Sequence, residues 1–219
     1  MLKFKRVTLF CGHYGSGKTN IAVNYAFWIK ESGLGVRIAD MDIVNPYFRT
    51  KDSEAELAEK GIDLISPQYA NSNVDLPALP QELYGLFQQR DRFAVLDIGG
   101  DDRGAYALGR FAPLILEEDD YDCFYVANFF RPLTRTAEEA LEVMKEIEAA
   151  GGVPFTGIVN NSNLGEETAP ENVESTFGEA HRLAELSGVP VRFTTARESI
   201  APQIRGENVM PLILQKKYY

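Results

Sequence analysis

Val7-Thr8-Leu9-Phe10-Cys11 is a short apolar run, partly β-branched, and predicts a central strand covered on both faces. Thr19 to Ser32 contains no Gly or Pro and is apolar around most of its circumference. That pattern predicts a helix buried against a sheet and stopped by Gly33. The alternation then repeats. Val36 to Asp40 reads as a strand, Glu54 to Lys60 as a helix, and Ile62 to Ile65 as a strand. Ser66 to Pro80, rich in Pro, Asn and Ser and without a period, reads as a long loop of the kind that carries function. Gln81 to Arg90 is a short helix, Phe93 to Asp97 a strand, and Gly104 to Glu117 a helix that Pro113 bends or divides. Cys123 to Ala127 is a strand. Thr136 and Glu139 form a capping box for a helix to Ala150, stopped by Gly151. Phe155 to Val159 is a strand, Glu171 to Ser187 one helix, Val191 to Thr194 a strand, and Pro211 to Leu214 a last strand. Strands separated throughout by helices imply a three-layer α/β/α domain with a mostly parallel sheet. No repeat or linker divides residues 1–219, so a single domain is expected.

Composition narrows the function classes. The net charge of −10 and the lack of a basic cluster argue against nucleic-acid binding, which needs Lys and Arg to neutralise phosphates. No basic amphipathic helix, membrane-length apolar run or leader pattern is evident, so the expectation is a cytoplasmic protein without a membrane role. The two cysteines, Cys11 and Cys123, lie in apolar strand-like runs and read as buried thiols.

The chemistry is carried first by Gly12 to Thr19, Gly-His-Tyr-Gly-Ser-Gly-Lys-Thr, a phosphate loop G-x-x-x-x-G-K-[ST] with every fixed position filled. It stands where the motif requires, between a buried strand and a helix. Backbone N–H groups of Gly12, His13, Tyr14, Gly15, Ser16 and Gly17 would cradle phosphates, with Asn20 just beyond in the first helical turn. Lys18 would reach the β and γ phosphates and the Thr19 hydroxyl would sit on Mg²⁺. The helix N-terminus adds its positive dipole end.

In such a sheet ligands sit beyond the carboxyl ends of the strands, and polar residues collect there. Asp40 and Asp42 close the second strand and alternation turns both to one side. Together they suit water-mediated magnesium binding and orientation of an attacking water, or else Asp40 caps the following segment. Asp97 follows four strand residues in the Walker B position, and Gly99-Gly100 lets backbone approach the γ-phosphate. Asn160 follows a strand and is a candidate reader of adenine, unless Asn160-Asn161-Ser162-Asn163 is simply a turn. An Asn-Lys-x-Asp sequence, which would select guanine, is missing, which tilts the base toward adenine. Asn45 to Arg49 and Phe129 to Pro132 place aromatic and Arg residues on loops at this edge, either as a partner surface or folded onto the core.

These residues resemble the MinD/ParA/CobQ-type nucleotide-binding domains of the P-loop NTPase fold, with the nitrogenase iron protein as a distant relative. The likeness runs from about Val7 to Thr195. It implies a Mg-ATPase, commonly a homodimer sandwiching two nucleotides, that uses hydrolysis as a conformational switch on a protein partner. By that resemblance Lys18 contacts phosphate, Thr19 binds Mg²⁺, Asp42 positions the water and Asp97 supports the metal. The chain departs from the pattern at His13, where the family carries a second lysine that reaches the partner's phosphates. A histidine there implies a weaker or pH-dependent contact, or replacement by an arginine such as Arg103 or Arg131. No cysteine is placed to hold a cluster, and His181 is assigned no role. The competing reading is a small-molecule kinase or ATP-dependent ligase, with Arg103 and Arg110 as candidates for a lid. A third is a nucleotide sensor without turnover.

Overall fold

The first strand, β1 (Val7–Cys11), is buried along its whole length and runs up the middle of an eight-stranded sheet. The computed structural model describes residues 3–42, 50–66, 82–100, 102–206 and 208–214, with 51, 52, 102 and 103 as backbone only. The other strands are β2 (Val36–Met41), β3 (Asp63–Ile65), β4 (Phe93–Ile98), β5 (Tyr121–Ala127), β6 (Gly157–Asn160), β7 (Val191–Arg197) and β8 (Val209–Leu212). Their order is β3-β2-β4-β1-β5-β6-β7-β8, and every pairing is parallel.

Period-two alternation sends neighbouring residues to opposite sides of this sheet. Val7, Leu9 and Cys11 join Met41, Leu96, Cys123 and Tyr125 on one face. That face is covered by α3 (Glu82–Gln88), α4 (Asp102–Gly109), α5 (Ala112–Glu118), α6 (Ala137–Gly151) and α8 (Phe177–Ser187). Phe10, Ile38, Val95, Phe124 and Phe193 point the other way and pack on α1 (Lys18–Glu31) and α2 (Glu54–Glu59). The result is a three-layer α/β/α domain with an all-parallel sheet, as the strand–helix alternation requires. Buried positions on α1 include Ile21, Ala22, Tyr25, Ala26, Phe27 and Ile29, which explains the apolar character of most of its circumference. Gly33, at φ +82°, turns the chain out of it.

Two expected helices are each two helices. Gly109 ends α4, and Pro113 stands in the first turn of α5, where its missing N–H costs nothing. The stretch from Glu171 is divided into α7 (Pro170–Glu174) and α8. Thr176 lies at the break, its N–H and its hydroxyl both donating to the Val173 carbonyl, while the hydroxyl accepts from Asn160 of β6. Thr136 and Glu139 form the predicted capping box at the start of α6.

Cys11 and Cys123, on adjacent strands, stand with their sulfurs 4.0 Å apart as buried free thiols. The hydrogen bond to Cys11, then burial, pushes the Cys123 thiol up. No helix among the described residues is long and apolar enough to cross a membrane. The expected Ser66 to Pro80 loop lies, beyond Ser66, outside the described residues, as does Asn45 to Arg49.

Candidate nucleotide site

The register of the sheet assembles the site. Asp40 of β2 is the direct neighbour of Asp97 of β4, and Asp97 in turn neighbours Phe10 of β1. Both acids share the sheet face of Ile38 and Val95, which is the face covered by α1. Because α1 starts at Lys18, one loop after the end of β1, its first turn meets Asp97 at the carboxyl end of the sheet. Lys18, Asp40 and Asp97 are all buried, at 6%, 2% and 1% exposure.

The loop itself is held by contacts from three directions. The Ser16 N–H donates to the His13 carbonyl at 3.1 Å, and Lys18 Nζ donates to the same carbonyl at 3.2 Å. Asn161 Nδ2 donates to the Ser16 carbonyl at 2.7 Å while its Oδ1 accepts from the Thr195 hydroxyl at 2.6 Å. Arg131 Nε donates to the Gly15 carbonyl at 3.1 Å. Gly17 has φ +89° and lies directly against the Asn161 amide, so no side chain fits there. Gly100 brings the loop after β4 onto the phosphate loop, against Lys18 and Tyr14.

Asp97 is buried and held by two threonines. Its Oδ2 accepts from the Thr50 hydroxyl at 2.9 Å, and its carboxylate is also hydrogen-bonded by Thr19. Burial pushes its carboxyl up to about 6, against the opposing pull of the Thr19 hydroxyl, the Lys18 charge and the Thr50 hydroxyl; Asp42 nearby pushes it further up. Its Oδ1 and the Ser16 hydroxyl are buried with no hydrogen-bond partner among the described residues. Asp42 lies beside Gly99, half-buried, and its N–H donates to Asp40 Oδ1 at 3.0 Å. Asp40 therefore braces the strand end that presents Asp42.

The donor set suits magnesium. Hydroxyl and carboxylate oxygens are the hard ligands that this ion takes, and it is usually held by one or two carboxylates together with substrate phosphates. Thr19 and Asp97, with Asp42 beside them, would supply that share, and Asp97 Oδ1 is a buried acceptor without a hydrogen-bond partner among the described residues. No cluster of three or more His, Cys, Asp or Glu among the described residues would hold a metal unaided, so phosphate oxygens would complete the shell.

Other expected residues stand differently. Asn160 is fully buried: Nδ2 donates to Thr176, and Oδ1 accepts from the Ser162 N–H and hydroxyl. It has been spent on folding the chain back toward α7, so the reading of Asn160 as the residue that reads adenine is corrected. The groove beside the loop, about 450 Å³, is lined instead by Gly17, Asn20, Asn161, Asn163 and Arg197 with Leu212 and Leu214. His13 is half-buried and lines a hollow of about 100 Å³ with Gly100, Ala105, Leu133 and Glu146 of its own chain. Burial, then the Lys18 charge, holds its imidazole below the ordinary range. Of the aromatic loop after β5, Phe129 packs in the core and Arg131 turns to the phosphate loop. Arg110 is exposed just past the end of α4 that is remote from Gly100; the Arg103 side chain lies outside the described residues. His181 is exposed on α8. Sequence reasoning missed Thr50 as a partner of Asp97, and it placed Asn161 only within a possible turn, because nothing in their spacing ties them to Asp97 or to the Ser16 carbonyl.

No known sequence family and no curated protein matches the chain. Solved structures do. The cell division protein FtsY of Thermotoga maritima superposes with a TM-score of 0.64 at 16% identity, over 90% of this chain and 63% of its own. The signal recognition particle receptor FtsY of Elizabethkingia anophelis, in complex with GDP, gives 0.58 at 14%, over 89% of this chain and 58% of its own. The signal recognition particle 54 kDa protein of Aeropyrum pernix, also with GDP, gives 0.58 at 17%, over 89% and 42%. The chain thus spans less than two thirds of the length of each of these structures, and what it shares with them is the P-loop NTPase fold.

Proposed function

We propose that the chain binds a nucleoside triphosphate with magnesium and hydrolyses it slowly, using turnover as a conformational switch on a protein partner. The observation that supports this best is the meeting of Lys18 and Thr19 with Asp42 and Asp97 at one corner of the sheet. Lys18 would neutralise the β and γ phosphates, and the loop N–H groups would hold them in line. Magnesium, when bound, would draw charge from the leaving phosphates. Thr19 and Asp97 would hold that ion, and Asp42, at the more open rim, would orient the attacking water. Gly99-Gly100, beside both Asp42 and Lys18, is the segment through which loss of the γ-phosphate would be felt elsewhere.

ATP is the substrate proposed, on the missing Asn-Lys-x-Asp sequence. GTP is a second reading, favoured by the GDP bound in two structures of the same fold and by the loss of Asn160 as an adenine reader. Exposed Tyr14 in the loop and Leu133 beside His13 and Gly100, at 58% and 63%, support docking of a protein, a second copy of the chain included. The test is phosphate release by the pure protein with ATP and with GTP, with and without Mg²⁺, alongside its association state in the diphosphate and a non-hydrolysable triphosphate. Slow Mg²⁺-dependent release with triphosphate-driven association supports the switch. A monomer that turns over only when a metabolite is added would replace it by a kinase. Binding without release in any condition would leave a sensor.

A further inference from the structure

The end of the last strand supplies two of the apolar residues of the groove beside the phosphate loop, with Val173 and Ala196 as the others. Leu212 and Leu214 line it together with Gly17, Asn20 and the polar residues after β6. Leu212 is buried, but Leu214 is 45% exposed although it lies over a cavity. Among the described residues β8 is an edge strand, paired with β7 alone through registers such as Arg197↔Leu212. A segment leaving such an edge frays unless something ties it down.

The tie is Asn24. This residue, 1% exposed in the second turn of α1, donates Nδ2 to the Ile213 carbonyl at 2.9 Å and accepts the Ile213 N–H at Oδ1, also at 2.9 Å. Its side-chain amide replaces the peptide group that a further strand would have offered. The same Nδ2 donates to the Asn20 carbonyl at 2.8 Å. One buried amide therefore joins the first turn of the phosphate-loop helix to the backbone between the two groove leucines.

We propose that Leu212 and Leu214 form the surface against which a nucleobase packs, and that Asn24 is the residue that positions this surface. The inference rests on the nucleotide reading of the phosphate loop. A purine offers a flat apolar face whichever groups lie on its edge. Such a wall therefore separates nucleotides from bare polyphosphates and does not separate adenine from guanine. Asn24 acts through Ile213 and does not touch the ligand.

Calorimetric titration with Mg²⁺ and ADP, GDP or pyrophosphate tests this on the wild-type chain, Asn24→Ala and Leu214→Ser. Leu214 is partly exposed, so its substitution leaves the fold intact even where Asn24→Ala does not. Both variants are expected to bind ADP and GDP about tenfold more weakly. Pyrophosphate affinity should stay within about twofold, because the loop N–H groups and Lys18 are unchanged. Unchanged nucleotide affinity in Leu214→Ser overturns the proposal, and so does an equal loss for pyrophosphate. A wild-type chain that binds none of the three removes the nucleotide reading itself, a result that needs no variant.

Discussion

Gly100 lies so close to Lys18 that a methyl group on the glycine would come within 2.7 Å of the lysine Nζ. It would also come within 2.8 Å of the Tyr14 backbone nitrogen. Lys18 can swing aside, but the Tyr14 backbone belongs to the cradle and has nowhere to go. Gly100→Ala is therefore expected to displace the loop and slow hydrolysis about 100-fold, the scale of a misplacement near 1 Å. Thermal unfolding should change little. A variant with wild-type turnover would show that the two loops do not act together.

Asp97 should cost the empty protein stability. Its folded carboxyl is raised to about 6, so it favours the folded state when protonated, and that contribution is lost as pH rises from about 4 through 6. In magnesium-free buffer at pH 7.5, Asp97→Asn is expected to raise unfolding free energy by about 1–3 kcal/mol. The gain should shrink toward zero near pH 4, where both side chains are neutral. Denaturant titrations at the two pH values measure it, and magnesium-dependent hydrolysis should disappear in the same variant. A net loss of stability at pH 7.5 would mean that Lys18 and the two threonines outweigh the burial of the charge.

His13 is expected to be neutral at pH 7. Its depressed pKa makes its contribution to stability complete above the ordinary histidine range, and that contribution is lost as pH falls through the folded value. The chain has two histidines, so NMR of the imidazole carbons, with His181→Gln for assignment, follows it directly. The His13 signal should titrate below 6.5 in the free protein. A midpoint above that would restore a charged histidine able to contact phosphates across a subunit boundary.

The capping box of α6 provides a control away from the chemistry. The Glu139 N–H donates to Thr136 Oγ1 at 3.3 Å, and Ala140 and Met144 of the same helix are buried in the core. Thr136→Ala should cost about 1 kcal/mol of stability and leave nucleotide hydrolysis unaltered. Denaturant midpoints and initial rates, measured on one preparation, check both halves.

Residues whose role is set by their sequence neighbours were legible from the start. Val7 to Cys11, the phosphate loop and Thr136 with Glu139 stand where local pattern puts them, because strand alternation, loop curvature and caps are short-range effects. The two divided helices were legible only in part. Pro113 announced one break, whereas the other depends on a hydrogen bond from Asn160 to Thr176, 16 residues away. Asn160 shows the same limit in reverse. An amide at the end of a strand can face a ligand or the interior, and nothing near it in the chain says which.

The order of residues thus determined a strand–helix alternation, a phosphate loop and acids at strand ends. Tertiary structure decided which of these meet. Parallel pairing of β2 with β4 and of β4 with β1 set Asp40 beside Asp97 and put both on the face of α1. It also brought Thr50 to Asp97, Asn161 to Ser16 and Asn24 to Ile213, the last across 189 positions. The reason is that a buried polar group must find a partner, and in a parallel sheet the nearest partner in space comes from a distant part of the chain.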